Sequence, residues 1–220
     1  EISATDVNLS LTSDVLIALP AVPSESDRKF ARLMMTELSD RYGLAVRAAP
    51  VTTLPAKRPF IVIGTTANPL VRRLTAERKL NVSATNPGPE GYLVDVRREG
   101  VLVAGSDDAG AFYGFQSLRQ LVRRDGKDVV IAGATIRDWP YKPFRGIKLY
   151  LPGRDNLAYF RRFVTEFMPP NKYNKMVLEL NAAMRFDKHP ELNAGWLDLG
   201  RDLNATRRER PAGPHGNMNS

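Results

Sequence analysis

The chain has 220 residues, 43% of them hydrophobic, a formal charge of +8 and no cysteine. That length and apolar content suit one large core or a domain and a half, and they exclude a chain disordered throughout. The lack of cysteine excludes disulfides, thiolate nucleophiles and cysteine-ligated zinc. His189 and His215, the two histidines, offer little for a metal site or a Ser-His-Asp triad.

No run of roughly 18 apolar residues occurs, so no membrane-spanning segment is predicted. The start "EISATDVNLS" lacks the basic and apolar regions of a signal peptide. The compartment stays open, secretion or the periplasm being compatible with a signal peptide already removed. Positive charge invites a nucleic-acid reading, but the pairs Arg72-Arg73, Arg97-Arg98, Arg123-Arg124 and Arg161-Arg162 are scattered over the chain. Scattered charge reads as a solvated surface, and no nucleic-acid partner is predicted.

In chain order, "DVLIALP" (Asp14 to Pro20) is a short apolar run bounded by turn formers, which predicts a buried strand. A helix follows, with Phe30, Leu33, Met34 and Leu38 at helical spacing, serines as N-caps and Gly43 at its stop. "GLAVRAA" and "RPFIVIGT" read as strands. "NPLVRRLTAERKL" reads as a helix opened by Asn68, with Pro69 where a missing N–H costs nothing. "GYLVDVRREGVLVAG" reads as a hairpin turning through Arg98-Glu99-Gly100.

"DDAGAFYGFQSLRQLVRR" predicts a helix over Asp107 to Arg124, capped by Asp107, with Phe112, Phe115, Leu118 and Leu121/Val122 as its apolar stripe and arginines in its last turn. Gly110 and Gly114 cost helix propensity, so they predict close packing against a sheet. The acidic pair Asp107-Asp108 reads as capping rather than catalysis. "VVIAGATIRDWP" closes the region as one or two strands. Hairpins and helices together predict an α+β domain, its sheet covered by helices on one face, over residues 1–140. No glycine-rich phosphate loop, metal spacing or nucleophile elbow appears in it.

After the prolines of "DWPYKP" the rhythm changes. "FRGIKLYLP" predicts a strand, and "DNLAYFRRFVTEFM" a helix capped by Asp155 with Leu157, Phe160, Phe163/Val164 and Phe167 facing inward. "NKMVLELN" predicts a second strand. This is a β-α-β unit, whose strands should be parallel. The residues beyond it read as helix-poor, ending in a Pro/Gly/Asn-rich basic tail. Two parallel strands do not make a domain, so residues 141–220 predict a repeated β/α architecture that the chain opens and does not complete.

At "AGAFYGFQSLRQL", "IRDWPYKPFRGIKLYL", "NKYNKMVLELN" and "HPELNAGW" the sequence resembles the family 20 glycoside hydrolases, the β-N-acetylhexosaminidases. The match covers most of residues 59 to 200, and its four motifs fall in the family's order. The resemblance implies an α+β accessory domain followed by the first β-α-β of an incomplete TIM (β/α)8 barrel. It also implies removal of terminal N-acetylhexosamine from glycoconjugates or chitin-like oligosaccharides, with a carbohydrate partner, no metal and no cofactor.

In the family the arginine of the first barrel strand binds hydroxyls of the sugar, and Arg145 stands at that position. A rigid fork of N–H donors suits two neighbouring hydroxyls; the competing role is an ion pair with Asp138 or a barrel carboxylate. Barrel sites sit at the carboxyl ends of strands, whereas Arg145 precedes most of its strand and would have to reach up the barrel. The sequence departs from the family where Tyr150 replaces the aspartate of "RGLMLD", where Arg154 is shifted, and where "VLELNAAM" replaces "HWHLTDD". Glu179 then falls near the second histidine of that motif.

The family's reaction is substrate-assisted. The 2-acetamido oxygen attacks the anomeric carbon, an aspartate orients the amide, and the adjacent glutamate protonates the leaving oxygen, outside the two-carboxylate scheme. No Asp-Glu dipeptide occurs in the 220 residues; no catalytic residue is therefore assigned in this chain, and the chain alone is expected to be inactive. Glu179 and Trp196 are candidate pocket residues, with pairing to a lysine or arginine and core packing as their competing roles, and His189 reads as a surface histidine. A different class, a non-catalytic carbohydrate-binding or interaction module built on the α+β domain, is the alternative.

Overall fold

A computed structural model describes residues 1–179, 186–195, 197, 198 and 201. The chain divides into two compact units, Glu1–Pro143 and Phe144–Ser220. In the first unit the described strands are β1 (Ile2–Ala4), β2 (Leu9–Leu11), β3 (Leu16–Pro20), β4 (Arg47–Val51), β5 (Phe60–Thr65), β6 (Tyr92–Arg97), β7 (Gly100–Gly105), β8 (Val122–Asp125), β9 (Asp128–Ile131) and β10 (Ala134–Asp138). Its helices are α1 (Glu25–Tyr42), α2 (Pro69–Glu77) and α3 (Asp108–Leu121).

Seven strands form one sheet in the order β1-β10-β6-β7-β5-β3-β4, and β2-β9-β8 form a second, smaller one. The large sheet is mixed. Strand β3 runs parallel to β4 and β5, and β5 parallel to β7, while β7, β6, β10 and β1 pair antiparallel. The predicted hairpin is the β6–β7 pair, with Arg97 opposite Gly100.

Side chains of the central strands alternate between two cores, as a strand's period of two requires. Ile17, Leu19, Ile61, Ile63, Val101 and Val103 pack with Phe30, Met34 and Leu38 of α1 and with Phe115 and Leu118 of α3. Leu16, Ala18, Phe60, Val62, Leu102 and Ala104 pack with Leu70, Val71 and Leu74 of α2. Helices therefore cover both faces, which corrects the expectation of a sheet covered on one face. The β3-α1-β4 segment is a parallel crossover, and a sheet built on such strands needs apolar cover on each side.

The helix ends follow the expected chemistry. Ser24 and Asp27 form a reciprocal capping box on α1, and Gly43 closes that helix in the left-handed region at φ 67°. Asn68 caps α2 with Pro69 in its first turn, and Asp107 accepts from the Gly110 N–H at the start of α3. Asp27 Oδ1 also accepts from Asn68 Nδ2 at 2.7 Å, tying two helix starts together. Past the end of α2, Arg78 pairs with Asp95 of β6 at 2.9 Å, their side chains 4% and 5% exposed. Such a pair is costly to break because either partner alone would be a buried, uncompensated charge.

Helix α3 stops at Leu121, three residues before the expected end. Val122 is extended and pairs with Ile131, so Arg123 and Arg124 belong to β8 rather than to a last helical turn. A β-branched valine is at ease in a strand, and its carbonyl accepts from the Tyr42 hydroxyl at 2.7 Å. Gly110 and Gly114 do pack tightly. A Cβ on Gly110 would lie 2.1 Å from the Gly91 carbonyl oxygen, and one on Gly114 would lie 2.5 Å from Val103.

In the second unit β11 (Gly146–Tyr150) and β12 (Lys175–Glu179) pair parallel with Ile147 opposite Met176. Between them the predicted single helix is three pieces: a 3-10 turn at Arg154–Asn156, α4 at Leu157–Arg162 and a π-helical turn at Phe163–Phe167. Asp155 lies inside the first turn instead of capping, and Leu157 and Phe167 are 54% and 44% exposed rather than inward. Phe163 stacks on Phe167 across the wide turn, their ring centroids 4.9 Å apart. Residues 190–195 are helical, against the expected helix-poor stretch; Pro190 opens this helix, at a position where proline is favoured.

Two outcomes follow for stability. Gly110→Ala forces a methyl group against the backbone of Gly91 and should lower the unfolding free energy by about 2 kcal/mol, read by urea titration; an unchanged midpoint contradicts the packing. Asp27→Ala removes half of the capping box and the bond to Asn68, and should cost about 1–2 kcal/mol. Asp27→Asn, which keeps an acceptor, should recover part of that loss in the same titration.

Candidate functional site

Two places gather polar side chains. The first is a crevice of about 520 Å³ in the first unit, outside the carboxyl ends of β3, β5 and β7, where the helices that follow those strands begin. In open α/β sheets this is where ligands bind. Its carboxylates and its Asn68 amide are taken up by neighbouring groups of the protein, however, while the buried Ser106 hydroxyl has no partner. Asp27 accepts from Ser24 and Asn68, Asp107 from the Gly110 and Glu90 N–H groups, and Asp108 from the Ser26 hydroxyl at 2.9 Å. The positive ends of three helices, which elsewhere hold phosphate, are thus each met by a side chain of the protein itself.

The second place is the β11–β12 pair. The Arg145 backbone N–H donates to Asn174 Oδ1 at 3.0 Å, and its Nε donates to the Lys172 carbonyl at 2.8 Å. Both partners precede β12, so the guanidinium is held at the amino end of the pair. Glu179 ends β12, directly opposite Tyr150, which ends β11. Arg145 and Glu179 are therefore not brought together: five strand residues, about 16 Å at 3.3 Å each, separate the two ends.

Glu179 Oε2 is ion-paired with Lys148 Nζ, which also lies 5.9 Å from the centre of the Tyr150 ring. The hydrogen bond to Glu179, reinforced by the opposite charge, holds the Lys148 pKa above its ordinary 10.5. Lys148 was not singled out from sequence, although its place two residues before Tyr150 puts both on one face of a strand. His189 is a surface residue, its Nδ1 3.1 Å from Glu191 Oε1. Trp196 lies outside the described residues.

Among the described residues no group of three or more histidine, aspartate or glutamate side chains could hold a metal ion. Among the same residues no helix is long and apolar enough to cross a membrane.

Comparison with solved structures gives the same fold at low identity. The exo-β-N-acetylglucosaminidase of Vibrio harveyi, solved with N-acetylglucosamine, aligns at 14% identity and a TM-score of 0.56, over 82% of this chain and 24% of its own. The β-N-acetylhexosaminidase of Streptomyces coelicolor aligns at 21% and 0.59, over 82% and 33%. The chitobiase of Flavobacterium johnsoniae aligns at 19% and 0.57, over 87% and 28%. The chain thus spans about a quarter to a third of the length of these proteins. Among curated protein sequences there is no match. Residues 1–139 match Glycosyl hydrolase family 20, domain 2, and the chain belongs to that family.

Proposed function

We propose that this chain is the N-terminal portion of a glycoside hydrolase that removes terminal N-acetylhexosamine by substrate-assisted, retaining hydrolysis. Residues 1–140 are its accessory domain and residues 141–220 open a (β/α)8 barrel. The observation that carries this reading is the parallel pairing of β11 with β12 directly after a family 20 domain. Parallel neighbours joined by a helical crossover are the repeating unit of such a barrel.

In this reading Arg145 binds sugar hydroxyls, for which its guanidinium leaves the Lys172 carbonyl and reaches up the barrel toward the carboxyl ends of the strands. Glu179 accepts hydroxyls at the carboxyl end of β12, and Trp196 supplies an apolar face for a ring. The acetamide oxygen of the substrate attacks the anomeric carbon as the leaving oxygen takes a proton from a glutamate. That glutamate and its neighbouring aspartate are supplied from outside these 220 residues, where no Asp-Glu pair occurs.

A chromogenic N-acetylglucosaminide tests this. The full-length protein should hydrolyse it, whereas the 220-residue chain alone should not; turnover by the chain alone at enzymic rates contradicts the assignment. In the full-length protein, Arg145→Lys keeps the charge and loses the fork, and should lower kcat/KM by about tenfold to a hundredfold, the scale of one hydrogen bond to a charged group. An unchanged kcat/KM removes Arg145 from the sugar site.

A further inference from the structure

We draw no further inference here: the strongest candidate, the crevice outside the carboxyl ends of β3, β5 and β7, rests on helix N-termini already capped by side chains of the protein itself, and the unpartnered Ser106 hydroxyl beside it is closed to solvent and offers a ligand no contact.

Discussion

Burial of strands β5 and β7 on both faces is the constraint on which the first unit depends. Their alternate residues feed two separate cores, so neither helix layer is optional: α1 and α3 cover one side and α2 the other. A register slip of one residue would exchange the two sets of side chains. Glycines at 110 and 114 let α3 approach its side closely. The buried Arg78–Asp95 pair and the Ser24–Asp27–Asn68 chain fix the helix ends. The crevice at the carboxyl ends of the strands is a product of this arrangement, and its carboxylates and amides serve the caps.

The second unit is built on the opposite balance. Two parallel strands and a short crossover carry a charged face and several exposed aromatic and aliphatic side chains. Such a pair has too little buried area to stand by itself. The polar face bears Lys148, Glu179 and Tyr150, while Arg145 is held at the other end of the strands by Lys172 and Asn174.

Much of this was legible in the sequence where local chemistry decides the outcome. Ser24, Asn68, Asp107 and Gly43 each stand where a helix begins or ends, and the β6–β7 hairpin follows from two apolar runs around a tight turn. Where partners far along the chain decide, the sequence was silent or misleading. Val122 leaves its helix because β9 is there to pair with it, and β1 and β2 are short strands recruited by β10 and β9. Cover on the second face became visible only when α2 was seen to pack with Phe60, Val62 and Leu102. The Lys148–Glu179 contact likewise depends on strand register, which no single segment specifies. The family resemblance supplied Arg145, and the geometry added Lys148.

The division between a self-sufficient first unit and a dependent second one is tested most directly by hydrogen exchange on the 220-residue chain. Amides of β5 and β7 should exchange only through global unfolding, while those of β11 and β12 should exchange orders of magnitude faster through local opening. Equal protection of β11, β12 and the central strands would contradict it.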